Sequence, residues 1–120
     1  MPKLHHVSLF VAPENVTAQE SFMTEVLGCR KLDPGDQLRA LGANWFQADG
    51  GTEIHIGTQP HAAIEFGERL ADVEKRLLDA GIEFQVVEGL KAPDGSALRI
   101  VACKDPADNQ WELRGVPPKA

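Results

Sequence analysis

Apolar and polar positions alternate with a period of two over Leu4–Val11. Val7, Leu9 and Val11 fall on one side, and His6, Ser8 and Phe10 on the other, the pattern of a strand with one apolar face. The period then lengthens. Pro13 and Asn15 mark a helix start, and Ala18, Phe22 and Val26 recur at i, i+4 and i+8, which predicts an apolar stripe along a helix stopped by Gly28. Cys29–Leu32, Leu38–Gln47 and Thr52–Ile56 are predicted as three further strands. The turns Asp33-Pro34-Gly35-Asp36 and Asp49-Gly50-Gly51 separate them.

The same order of elements then returns. His61-Ala62-Ala63-Ile64-Glu65-Phe66 has the form of His6-Val7-Ser8-Leu9-Phe10-Val11: histidine, any residue, small, aliphatic, any residue, apolar. Leu70, Val73 and Leu77 lie at i, i+3 and i+7 of a second amphipathic helix, which stops at Gly81. Ile82–Val87, Ala97–Cys103 and Gln110–Arg114 supply three more strands, with turns at Pro93-Asp94-Gly95 and Asp105-Pro106. His6 to His55 is 49 positions, and His61 to Glu112 is 51. The chain therefore reads as one strand–helix–three-strand unit written twice. Module one spans 4–57 and module two 61–115, and the patternless tail 116–120 is expected to fray.

Strand period also sorts the polar residues by face. Glu53, His55 and Gly57 oppose Ile54 and Ile56; His61, Ala63 and Glu65 oppose Ala62, Ile64 and Phe66; Gln110, Glu112 and Arg114 oppose Trp111 and Leu113. A half-buried antiparallel sheet with one face open to solvent would show this alternation. It would not require imidazoles and a carboxylate at equivalent repeat positions. Two such units related by a two-fold would bring His6, His55, His61 and Glu112 together. Imidazole nitrogen and carboxylate oxygen suit Zn, Ni, Fe, Mn or Co. With all four engaged, an octahedral ion keeps two open positions; without His55, the set is a two-histidine, one-carboxylate facial triad. His5 is one residue off period, so it is expected on the helix side or the strand edge and not as a ligand. Glu53 and Glu65 lie on the cavity face, where either is expected to support a ligand, contact substrate or, first of the three, form a solvated rim; Arg39, Trp45, Gln47, Arg99 and Arg114 are candidate pocket residues.

Composition narrows the function. The chain has 120 residues, 42% of them hydrophobic and 25% charged, which is globular and amounts to one domain of ordinary size. Twelve Lys and Arg against 18 Asp and Glu leave a net charge of −6, which argues against nucleic acid and gives no support for an anionic membrane. No apolar run approaches the ~18 residues of a membrane span, and MPKLHHVSLF lacks a signal-peptide core, so the protein is expected to be cytoplasmic. Cys29 and Cys103 have neither CxxC nor His-paired spacing and are expected to be free thiols. No phosphate-binding glycine loop, GxSxG elbow or HExxH helix is present.

Taken in order, Leu4-His5-His6-Val7-Ser8-Leu9, Phe22 through Val26-Leu27-Gly28, Ile54-His55-Ile56-Gly57, His61-Ala62-Ala63-Ile64 and Asp105-Pro106-Ala107-Asp108-Asn109-Gln110-Trp111-Glu112-Leu113 resemble the vicinal oxygen chelate superfamily. Glyoxalase I, bleomycin-resistance proteins, fosfomycin-resistance enzymes and extradiol dioxygenases belong to it, and the resemblance covers residues 4–115. It implies an α+β fold of two βαβββ modules, a curved mixed sheet around a central metal cavity with helices on the outer face. It also implies ligands on the first and fourth strands of each module, which match His6, His55, His61 and Glu112. Three positions depart from the usual pattern. His55 stands where glyoxalase I typically has glutamate, Phe22-Met23 replaces a Phe-Tyr pair, and Asp105-Pro106-Ala107-Asp108-Asn109 replaces a turn that usually carries glycine at its fourth position.

The expected function is a metal-dependent enzyme of lyase or isomerase type, acting on a small molecule through chelation of vicinal oxygens, with Glu112 as ligand and general base. A bleomycin-resistance-like binding protein without catalysis, or an Fe(II) dioxygenase, is the alternative. Only Gly57-Thr58-Gln59-Pro60 bridges the last strand of module one and His61. That short bridge limits how freely the modules fold back on each other, and small members of the resembling family are commonly dimers with sites sometimes built from two chains; the resemblance thus implies a homodimer, with His6 and His55 from one subunit and His61 and Glu112 from the other.

Overall fold

The computed structural model describes residues 2–57, 59–92 and 94–118; Pro93 and the end of the tail, residues 119–120, lie outside the described residues. The chain divides into two compact units, one of His5–Pro60 and one of His61–Ala120 with Met1–Leu4. Each follows the α+β order read from the sequence, with helix after its first strand, and the first unit adds a short helix between its second and third strands.

In the first unit, β1 (Lys3–Phe10) leads through a 3₁₀ turn at Pro13–Asn15 into α1 (Val16–Ser21), which continues as a π-helical turn over Phe22–Val26. β2 (Arg30–Leu32), α2 (Asp36–Ala40), β3 (Asn44–Gln47) and β4 (Glu53–Gly57) follow. The strand order is β2-β3-β4-β1. β1 and β4 run parallel, with His6 opposite Glu53 and Ser8 opposite His55, whereas β3 and β4 are antiparallel, with Trp45 opposite His55. The sheet is thus mixed and not antiparallel: first and last strands share a direction, so the chain must cross over between them.

The helix stripe differs from the expectation. Leu27 N–H donates to the Phe22 carbonyl five residues back, and the widened turn rotates the following positions. Met23 is the buried residue, packed with Phe46 and Ile56 against Val11, Cys29 and Ile54, while Phe22 and Val26 are exposed. Gly28 stops the helix at φ +75°, as expected of a left-handed cap. The predicted strand Leu38–Gln47 is helical in its first part. Gly35 N–H is accepted by the Asp33 side chain, and the chain turns into α2 before β3 begins at Asn44.

In the second unit, β5 (His61–Gly67), α3 (Leu70–Asp79), β6 (Phe84–Lys91), β7 (Ala97–Lys104) and β8 (Gln110–Gly115) give the order β5-β8-β7-β6. Again the first and last strands are parallel, and β6–β7 and β7–β8 are antiparallel. Here the helix stripe is as expected: Leu70 and Val73 are buried with Val101 and Leu113, and Leu77 packs against them. β6 runs on to Lys91, past the predicted Val87, through a register shift between Val87 and Leu90. Arg99 binds α3 to the sheet. Its guanidinium meets both oxygens of Glu74, at 2.9 and 2.7 Å, and also pairs with Glu88. These carboxylates, Glu74 first, hold the Arg99 pKa above its ordinary value. Gly115 is where β8 passes closest to the helix: a Cβ there would lie 2.4 Å from the Gly67 carbonyl oxygen and 2.7 Å from Leu70 Cβ.

Candidate functional site

The polar sheet face carries the candidate residues in both units, in the register the strand period implies. It is not open to solvent in the first unit: His6 is 2% exposed, Ser8 5% and His55 8%. Buried polar groups need partners, and these have specific ones. The His6 and His55 rings stack at 3.8 Å between centroids, 20° from parallel, and the opposite face of this interaction chain is Trp45, stacked on His55 at 4.3 Å and 8°. His6 and His55 are diagonal neighbours on adjacent parallel strands, one step from the Ser8–His55 pair, a separation that rings can span.

Glu53 and His5, expected at the rim and on the far side, both belong to this cluster. Glu53 Oε1 lies 2.9 Å from His55 Nε2, and its Oε2 lies 3.9 Å from His5 Nε2. His5 Nδ1 in turn is 2.8 Å from His6 Nδ1, with the two rings edge to face. Strand period alone puts the His5 Cβ on the other face; the ring nonetheless reaches its neighbour. The only signal for this in the sequence is the adjacency of the two histidines.

The second unit repeats the diagonal with different chemistry. Ala63 is opposite Glu112, so His61 on β5 is the diagonal neighbour of Glu112 on β8, as His6 on β1 is of His55 on β4. His61 Nε2 lies 3.8 Å from Glu112 Oε1, and Arg114 Nη1 lies 3.4 Å from Glu112 Oε2. The residues opposite Glu112 on its two neighbouring strands are Ala63 and Ala102, so small side chains flank the carboxylate. Arg114 also approaches Glu65 at 3.8 Å, and Glu65 accepts the Gly67 N–H.

The turn before β8 sets where Glu112 stands. Asp105 Oδ1 accepts the N–H groups of Ala107 and Asn109, while Oδ2 accepts Asn109 Nδ2 and, at 2.8 Å, the Trp111 indole N–H. These donors, the Trp111 indole foremost, lower the Asp105 pKa to about 2. Asp108 occupies the left-handed region at φ 71°, at the position where the resembling family usually has glycine.

Among the other candidates, Trp45 is part of the cluster, while Arg39 pairs with Asp33 and Asp36 in an exposed loop and Gln47 is taken by Arg30. Arg99 is a clamp on α3. Cys29 and Cys103 are free thiols; burial first, then Asp105, pushes the Cys103 pKa up, which makes it a poor nucleophile.

No protein-family model and no curated protein matches the chain. Solved structures do. A glyoxalase/bleomycin resistance protein/dioxygenase superfamily member from Vibrio splendidus 12B01 aligns over 96% of this chain and 98% of its own, with a TM-score of 0.71 at 10% identity. The chain has the glyoxalase/bleomycin resistance/dioxygenase fold. The same fold relates it to a catechol 2,3-dioxygenase, at TM-score 0.74 and 20% identity over 97% of this chain, which spans only 40% of that longer protein. Methylmalonyl-CoA epimerase from Mycobacterium tuberculosis aligns over 97% of this chain and 89% of its own, at TM-score 0.59 and 17% identity. The resemblance carried by the motifs is borne out at the level of the fold, and among the described residues no helix is long and apolar enough to cross a membrane.

Proposed function

We propose that the chain is a metal-dependent enzyme of glyoxalase type, in which His6, His55, His61 and Glu112 hold a divalent ion and a small substrate is bound through paired oxygens. The observation that supports this most is the repeated diagonal: each unit sets a first-strand histidine beside a fourth-strand ligand type on parallel neighbouring strands. The donor chemistry fits. Two donors on one late first-row ion, each at about 2.0–2.2 Å, can be no more than about 4.4 Å apart, and the His61 and Glu112 donor atoms are 3.8 Å apart. Zn, Ni, Fe, Mn and Co all accept such a set.

When bound, the ion would polarise the substrate oxygens and stabilise charge developing on them. The protein's own residues supply the rest. Glu112 is the group to take the substrate proton, because a carboxylate beside the bound substrate is within reach of it. Arg114 pairs with one Glu112 oxygen at 3.4 Å, and Ala63 and Ala102 leave space around the carboxylate.

Elemental analysis of the purified protein, before and after loading with each candidate metal, tests the proposal. One ion per ligand set is expected, with occupancy falling sharply in His6→Ala, His61→Ala and Glu112→Ala. Wild-type protein that holds no metal after reconstitution overturns the enzyme reading; metal retained in full by all three variants overturns the ligand assignment. With the metal that supports turnover, Glu112→Gln is expected to lower kcat roughly 10²–10⁴-fold, the range for losing a general base.

A further inference from the structure

We infer that Glu65 is a positioning residue that holds Arg114 back from Glu112, so that Glu112 is not locked in an ion pair with its neighbour on β8. Two arginines of the second unit are almost equally buried: the Arg99 side chain is 13% exposed and that of Arg114 12%. Their pairing differs. Arg99 grips both oxygens of Glu74 at 2.9 and 2.7 Å, the length of a charge-assisted fork. Arg114 closes no fork. Among the described residues its one hydrogen bond is the 3.4 Å contact from Nη1 to Glu112 Oε2, and its Nε is buried without a hydrogen bond. A guanidinium keeps its charge and its five N–H donors, and a buried one left short of acceptors is costly. Glu112 is close enough to accept such a fork, so something must oppose its closing.

Glu65 supplies the opposition. It stands directly across from Arg114 on the parallel neighbour β5, and so lies diagonal to Glu112. Its Oε1 faces Arg114 Nε at 3.8 Å, a pull on a different edge of the guanidinium from the one that meets Glu112. Its other oxygen, Oε2, accepts the Gly67 N–H at 2.9 Å, which ties Glu65 to the backbone. The β5–β8 register shifts between Glu65 and Gly67, and a bulge of this kind re-aims a side chain. Arg114 is thus drawn two ways, and neither contact reaches fork distance. A closed Arg114–Glu112 fork would occupy Glu112 Oε1 as well as Oε2, and Oε1 is the oxygen 3.8 Å from His61 Nε2. What this restraint does for metal binding rests on the reading of Glu112 as a ligand; the balance between the two carboxylates does not.

Glu65→Gln tests the balance with little change of shape: the amide oxygen still accepts the Gly67 N–H, and the charge beside Nε is gone. Crystal structures of the metal-free wild type and variant read the Arg114–Glu112 geometry, and titration with Zn²⁺ alone reads the affinity. Expected in Glu65→Gln are two N–H···O contacts of about 2.7–2.9 Å between Arg114 and Glu112, and Zn²⁺ affinity about 10–100-fold weaker. In an Arg114→Met background the same change at position 65 is expected to have no further effect, because the group it restrains is absent. A merely structural role for Glu65 would weaken binding equally in both backgrounds. An Arg114–Glu112 contact still open in Glu65→Gln, or an equal loss of affinity with and without Arg114, overturns the proposal. If the Arg114→Met variants do not fold, the geometry in Glu65→Gln decides by itself. A wild type with no affinity for Zn²⁺, in which Glu65→Gln nevertheless closes the fork, upholds the restraint and overturns the metal reading instead.

Discussion

Asp105 shows how a single side chain can tie the site to the fold. It is held ionised by the Trp111 indole and the amides of Asn109 and Ala107. Its folded pKa, about 2, lies below the ordinary 3.8, so its contribution to stability is fully present above the ordinary value and is lost as the pH falls through the folded one. Thermal unfolding followed at successive pH values should therefore show a loss of stability between about pH 4 and pH 2, reduced in Asp105→Asn. An identical slope in the variant would remove Asp105 from the account. At this same scale, the strand faces that carry His6, His55, His61 and Glu112 could be read directly from sequence, because strand period fixes which side chains share a face. The bond between His5 and His6 could not, since period places Cβ atoms and says nothing of where a ring turns after χ1 and χ2.

Elements were legible where one period holds and illegible where it changes. α3 keeps the α-helical repeat from Leu70 to Leu77, and its stripe is the buried one. The helix after β1 does not: Ala18 is exposed on the regular α1 and Phe22 just after it, so the buried face lies one position on, at Met23, and the π-helical turn over Phe22–Val26 then changes the spacing as well. The consequence is measurable. Met23→Ala should cost about 2–5 kcal/mol, whereas Phe22→Ala, at an exposed position, should stay within roughly 0.5 kcal/mol; denaturant midpoints separate the two, and equal losses would contradict the packing. Likewise Leu38–Gln47 looked like one strand because the turn chemistry of Asp33 and Gly35 was spent on a simple connection and not on a helix start. At the close approach of β8 to α3, Gly115→Ala should destabilise by about 1–3 kcal/mol, because backbone oxygen and a helix Cβ, and no flexible side-chain end, stand in the way. A neutral substitution would mean that the strand end moves freely.

For the whole molecule, the duplicated motif was the most informative feature of the sequence, since each half specifies the same parallel first-and-last strand pair without reference to the other. Its length and acidic composition said nothing of this. Dimerisation is the prediction that belongs here. Phe10, Phe22, Val26, Leu27 and Leu41 are all exposed on the first unit of the single chain, apolar surface that a second copy could cover. Light scattering should give a mass near twice 13.1 kDa. A monomer that still binds its metal in full would show that one chain completes the ligand set by itself.

The ring stack on His55 has one more consequence. The chain contains two tryptophans and no tyrosine, and the indoles fall one in each unit: Trp45 against His55, Trp111 hydrogen-bonded to Asp105. Each fluorophore thus lies against a different ionisable group, one in the histidine cluster and one in the turn that sets β8. Intrinsic emission of this protein is therefore a two-channel signal, in which substitution of either indole leaves the other to report on its own half of the molecule without any added label.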